Sequence, residues 1–277
     1  MKVPYHDSRH RRRGVHVALM FMTIAFMATF GLTEESKAGE RVLPFYPGEK
    51  LTFQVRWSII PAGEAVLEIL PIETINGVKS YHFVMTAQTY PFIDIFYRVR
   101  DRVDSYTDIG MTHSLLYKKQ KEGRGKGNVV VNFDWEKQEA QYSSFGKEGK
   151  PIPIRAGSFD PLSVFYAFRL HDRKKNPEIQ APVTDGKKCV MGKAKIIGRE
   201  RIKVASGIYD TYVVEPDLEH IRGVFAKSKD AKLKIWVTAD RRRVPVKVKS
   251  KVVVGSFVAE LISAQGIGPH GSILKRE

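Results

Sequence analysis

The stretch Ser158–Leu170, SFDPLSVFYAFRL, constrains the fold most, because it is the one convincing helix in a sequence that otherwise alternates like β-strands. Asp160 is placed to cap the free amides of a first turn, and Pro161 suits the first helical position, where its missing N–H would have had no partner. Leu162, Val164, Phe165, Tyr166, Ala167, Phe168 and Leu170 leave almost no polar face. Such a helix must be enclosed on most sides. A curved sheet wrapped around it supplies the enclosure. The predicted class is therefore mainly β: a large curved antiparallel sheet, open-barrel or sandwich-like, around one short helix, preceded by an N-terminal signal helix.

The alternation predicts strands on both sides of that helix. Leu51, Phe53, Val55, Trp57 and Ile59 share one face of a strand over Glu49–Ile60; Pro61-Ala62-Gly63 breaks it and extended structure resumes over Glu64–Leu70, so the two read as a hairpin with a bulged corner. Asn76-Gly77 marks a tight turn into a strand over Tyr81–Thr89. Further strands follow over Phe96–Asp108, Ser114–Lys121, Asn128–Trp135 and Glu139–Phe145. The loop Glu122–Gly127, EGRGKG, is glycine-rich, but a strand rather than a helix follows it, so it reads as a hairpin turn and not a nucleotide fingerprint. After the helix, Lys174–Gly186 contains Pro177 and Pro182 and reads as a polar crossover. Beyond it a second group of strands covers Lys188–Val204, Tyr209–Pro216, Ala231–Ala239, Val244–Val254 and Ser256–Ala264. Crossover helices are missing from this pattern, which excludes a parallel α/β sheet.

The first 38 residues read as an export signal. Arg9, Arg11, Arg12 and Arg13 form a basic start, Val15–Leu32 is apolar apart from His16 and two threonines, and Ser36-Lys37-Ala38 offers small residues for cleavage after Ala38. An uncleaved anchor is the other reading of the same run. Either way the body, 39–265, lies outside the cytoplasm, in the periplasm or on the outer face of the inner membrane, as one β-rich domain followed by a flexible basic tail, 266–277. Cys189 is the only cysteine, so no intrachain disulfide forms, and it reads as a small buried side chain. The net charge is +16; six Lys/Arg and three Asp/Glu precede residue 39, so 40 and 27 remain, a net +13. That field attracts polyanions, which in an envelope means lipid head groups or cell-wall polymers rather than nucleic acid.

Several stretches resemble, in order and spacing, the DUF3108 family of exported bacterial proteins. They are PGEKLTFQVRW with AGEA (47–57 and 62–65), YRVRDRVDSYTD (97–108), FDPLSVFYAFR (159–169), SGIYDTYVVEP (206–216), and IWVTADRRRVPVKVK with VGSFVAEL (235–249 and 254–261). The resemblance implies a β-rich envelope protein and carries no catalytic residues.

The residues themselves declare no chemistry. The chain lacks a G-x-S-x-G elbow and an H-E-x-x-H motif, and His82, His113, His171 and His220 are dispersed without ligand spacing. Asp101, Asp104 and Asp108 share a segment with three arginines and read as a strand laced by ion pairs, not a metal site. Neither cofactor nor metal is expected. Lys247, Lys249 and Lys251 alternate along one strand with Arg241, Arg242 and Arg243 at its start, which reads as a solvated, edge-protecting face or as a docking surface for an anionic lipid or cell-wall polymer. Alternation also places Asp101 with Tyr97, Val99 and Val103 on the core face. A carboxylate there needs a partner, and Arg169, the only charged residue of the helix after Asp160, is the expected one. The functional expectation is a non-enzymatic binding or carrier module for an apolar or anionic envelope ligand. The alternative is an envelope hydrolase whose site is assembled from scattered residues.

Overall fold

The alternating segments form fifteen strands: β1 (Lys50–Trp57), β2 (Ile60–Ile75), β3 (Val78–Thr89), β4 (Val99–Asp108), β5 (Ser114–Gly123), β6 (Gly127–Asp134), β7 (Glu139–Ser144), β8 (Lys147–Glu148), β9 (Ile152–Pro153), β10 (Glu178–Thr184), β11 (Cys189–Val204), β12 (Gly207–Pro216), β13 (Lys232–Thr238), β14 (Pro245–Lys251) and β15 (Ser256–Gln265). Among the described residues, two helices accompany these fifteen strands, α1 (Pro91–Asp94) and α2 (Ser163–Arg169). This computed structural model describes residues 43–123, 126–171, 178–217, 232–251 and 256–267. The expected signal segment, Arg124 and Gly125 of the glycine-rich loop, residues 172–177 of the crossover, Glu219 and His220, Val252–Val254 and the tail beyond residue 267 lie outside the described residues.

All strands belong to one antiparallel sheet, in the order β10-β11-β12-β13-β14-β15-β1-β2-β3-β4-β5-β6-β7-β8, with β9 beside β7. The mainly-β expectation, an open curved sheet around a short helix, is what the chain adopts. Two meanders, β1–β8 and β10–β15, are welded in the middle by pairing of the first strand with the last, with Lys50 opposite Gln265 and Trp57 opposite Phe257. The sheet is not closed by strand pairing. Its two ends are instead stitched by the segment before α2: Phe159 donates to the Pro182 carbonyl at 2.9 Å and accepts from Thr184 at 2.8 Å, while the Ser158 carbonyl accepts from Ser114 at the head of β5 at 3.0 Å. The β10–β11 turn completes the approach. There Gly186, at φ +81°, is seated so closely that a Cβ would lie 2.8 Å from a methyl of Val131 and 3.1 Å from Cβ of Tyr142.

Three local expectations change. Pro61-Ala62-Gly63 does not break the second strand, because β2 runs through it beside a bulge between Val55 and Arg56. Gly63 is required there, since a Cβ would fall 2.1 Å from the Gln88 carbonyl oxygen. Lys174–Gly186 is not simply a crossover: Glu178–Thr184 is strand β10, and it accommodates Pro182 because it is an edge strand. The helix is shorter than Ser158–Leu170, because Ser158 and Phe159 spend their backbone groups on β5 and β10.

The core divides along the sheet. Phe45, Ile69, Phe83, Val103, Tyr117, Val131 and Phe133 pack with Leu162 and Tyr166 of the helix region. Leu51, Phe53, Val213, Trp236, Val246 and Leu261 form a second cluster under the weld, and Ile179, Ala194 and Val214 a third against Phe168. Tyr166, wholly buried, stacks on Phe83 at 4.0 Å and meets Phe45 edge-on at 5.4 Å.

Candidate functional site

Helix α2 crosses the interior and is fastened at each end by a buried charge. At its start, the Asp160 carboxylate accepts from the hydroxyls of Ser105 (2.6 Å), Ser114 (2.7 Å) and Ser163 (2.7 Å) and from the amides of Leu162 (2.8 Å) and Ser163 (3.0 Å). The capping role expected of Asp160 is thus real and extends to β4 and β5. Asp160, Ser105, Ser114 and Ser163 are all fully buried. A serine–carboxylate cluster invites a hydrolytic reading, but these hydroxyls donate to the carboxylate and have no access to water. The same negative charge, after burial itself, helps push the Tyr117 hydroxyl far above its ordinary titration range.

At the far end, Arg169 donates through Nη1 to Glu49 Oε1 at 2.5 Å and through Nη2 to Oε2 at 2.9 Å, with both side chains 2% exposed. Nη2 also reaches the Arg242 and Pro44 carbonyls at 2.9 and 3.3 Å, and the guanidinium lies over the rings of Phe45 and Tyr166 at 5.1 and 5.6 Å. The buried arginine expected in the helix is there, but its partner is Glu49 and not Asp101. Asp101 instead lies 3.9 Å from Lys121. The reason is depth along the strand. Glu49 joins Ile69 by a backbone hydrogen bond, and Ile69 is in register with Phe83 and Ser105. Asp101 sits four residues further along β4, about 13 Å at the strand rise, where the core-facing row opens toward solvent. Lys119, on the neighbouring strand, has its ammonium pKa pushed down by burial and by Lys121.

The six basic residues read as one surface are not brought together. Arg243 donates to the Arg169 carbonyl at 2.5 Å, Arg242 binds Asp240 at 2.5 Å, and Lys247 lies 2.8 Å from Glu260 and over the Trp236 ring. Arg241, Lys249 and Lys251 are exposed, but Arg241 and Lys251 stand at opposite ends of β14.

A cluster that sequence reasoning missed lies on the face of β4 opposite Asp101. His82 Nε2 is 2.8 Å from Asp104 and Nδ1 2.6 Å from Glu73, with the ring stacked on Tyr106 at 4.2 Å. Arg102 grips Asp104 with two bonds of 2.9 and 2.7 Å. Burial alone would raise the Asp104 pKa, but the bonds from Arg102 and His82 outweigh it and hold the carboxyl below its usual range. Burial, Glu73 and Asp104 push the Tyr106 hydroxyl up to about 12. The signal was the Asn76-Gly77 turn: counting register from it puts Glu73 and His82 near each other on one face. Among the described residues no group of three or more His, Cys, Asp or Glu side chains could hold a metal ion. Cys189, half-buried, has its sulfur 3.5 Å from the Ser158 hydroxyl.

Two concavities remain. A surface groove of about 370 Å³ runs past Arg199, Tyr209, Asp210 and Asp240, but it is open to solvent, and Asp240 already accepts from Thr238 and Arg242. The second is an apolar crevice of about 40 Å³ between α2 and strands β10–β13. Phe165 and Phe168 line it on the helix side, Ile179, Ile196, Val214, Ile235 and Val237 on the sheet side, and Arg169, Arg243 and His171 stand along it.

Fold and site define a barrel-like open sheet pinned around a transverse helix, with an apolar crevice where helix and sheet part. The chain belongs to the family described as "Protein of unknown function (DUF3108)", which matches residues 52–262, from β1 to the β15 strand that pairs with it. Among solved structures it is similar to a β-barrel-like protein of domain of unknown function DUF1849 from Brucella abortus, at 6% identity and a TM-score of 0.51, covering 80% of this chain and 98% of that one. That likeness concerns the fold. A second, a candidate exported protein with a YmcC-like fold from Bacteroides fragilis, has 7% identity and a TM-score of 0.30, with 80% and 97% covered. No curated protein matches the chain.

Proposed function

We propose that the chain is an exported binding module of the cell envelope, periplasmic or on the outer face of the inner membrane, that holds an apolar chain-like ligand in the crevice beneath α2. The observation that carries the reading is the crevice lining: seven aliphatic or aromatic side chains converge there. An envelope hydrolase is the weaker reading, since the Asp160–serine cluster is sealed and internally satisfied. The crevice has room for about one water molecule, so an acyl chain would need Phe168 displaced from the sheet. Export rests on the basic and apolar run before Ala38.

Titration with a fluorescent fatty acid tests this. Saturable binding is expected, weakened about tenfold or more, ~1.4 kcal/mol, by Ile196→Trp and kept or strengthened by Phe168→Ala. Absence of saturable binding, or indifference to Ile196→Trp, refutes the assignment.

A further inference from the structure

One end of the sheet carries an unusual density of exposed apolar side chains. The row Leu51, Phe53, Val55, Trp57, Ile59 begins fully buried and ends with Ile59 89% exposed at the β1–β2 turn. Trp57 is opposite both Ile60 and Phe257, and all three are exposed. Beside this turn lies the β3–β4 connection, tied to it by the Tyr90 amide donating to the Ala62 carbonyl at 3.0 Å. That connection exposes Phe92, Ile95, Phe96 and Tyr97, with Ile95 and Phe96 at 79% and 80%. Two hairpin tips thus expose large apolar groups side by side, more than a soluble surface normally leaves in one place.

Positive charge dominates around these tips. Among the described residues Arg98, Lys121, Lys126, Lys249 and Lys251 are exposed at this end, together with Glu122. The acids Asp94 and Glu260 are committed to Arg100 and Arg56, and Asp101 lies 3.9 Å from Lys121. We infer that this end of the sheet docks on an anionic lipid bilayer, its tip side chains entering the head-group layer while the flanking lysines and arginines meet lipid phosphates. Aromatic side chains suit that layer, and basic residues near it are drawn to anionic lipid. A second copy of the chain fits less well, because a two-fold contact would set these cations against their own copies. The inference is independent of the crevice, which lies elsewhere on the fold.

The test uses the exported chain with the N-terminus it carries in the envelope, so the readout must come from the tip itself. In a Cys189→Ser background, Phe96→Cys is labelled with an environment-sensitive fluorophore, and Ile109→Cys, exposed at the β4–β5 turn at the other end of the sheet, serves as the control. Vesicles are phosphatidylcholine with or without phosphatidylglycerol, some bearing a spin label on the acyl chain. The expected result is a blue shift and spin-label quenching at position 96 on phosphatidylglycerol vesicles only, reduced by salt and abolished by Ile59→Asp with Ile95→Asp, while position 109 stays in water. Emission from position 96 that remains water-like on those vesicles overturns the inference. So does a blue shift that needs no vesicles and grows with protein concentration, which would assign the tips to self-association.

Discussion

Stranding the Glu49 carboxylate by removing Arg169 should destabilise the fold more than removing both members of the pair. In Glu49→Gln the Arg169 guanidinium keeps the Arg242 and Pro44 carbonyls but loses its counter-charge at 2% exposure, a loss of about 3–5 kcal/mol, with the shape-conserving amide favouring the lower end. Arg169→Met strands the carboxylate and also takes the donor from those carbonyls, so its cost belongs at or above ~5 kcal/mol, a large part of the ~5–15 kcal/mol typical of whole domains. In Glu49→Leu with Arg169→Met neither charge of the pair remains, and the cost falls to the Arg242 and Pro44 carbonyls, about 1–3 kcal/mol for each one left without a donor. Urea unfolding followed by fluorescence of the three tryptophans measures all of these variants. A Glu49→Gln protein within about 1 kcal/mol of the parent would refute the reasoning. So would a double variant no more stable than Arg169→Met, because the pair would then owe its place to packing and not to mutual neutralisation.

Two further outcomes follow from the geometry. Asp104 is held below its ordinary pKa of 3.8 in the folded chain, so its contribution is complete above the unfolded value and is lost as pH falls through the folded one; Asp104→Asn should flatten that acid limb, and a parallel acid-unfolding curve would contradict it. Gly186→Ala combines a left-handed backbone with a methyl 2.8 Å from Val131, so a drop of about 1–3 kcal/mol in urea unfolding is expected, and an unchanged midpoint would show that the seam yields.

Alternation told the faces of the strands, not their depth. Asp101 does belong to the row containing Val103, but position along β4 decides between core and rim, and only the register of neighbouring strands fixes that. Glu49 stands first in the strand expected over Glu49–Ile60, in the row of Leu51 and Phe53, but nothing local ties it to Arg169, which it meets across 120 residues of sequence. Strand β10 was hidden by Pro182, since a proline argues against a strand until the strand is known to be an edge. The helix, by contrast, was legible because Asp160, Pro161 and an all-round apolar sequence act locally. The lining of the crevice depends on β10, which the prolines concealed.

The weld between β1 and β15 sets a schedule for the chain as it is synthesised. Nearly everything must be delivered before Lys50–Trp57 acquires its second neighbour, so the middle of the finished sheet is a raw edge until then. Pairing across so long a span is entropically slow, and an unpaired apolar strand recruits other chains while it waits. Loss of only the last strand therefore does not trim a periphery; it splits the molecule along its midline.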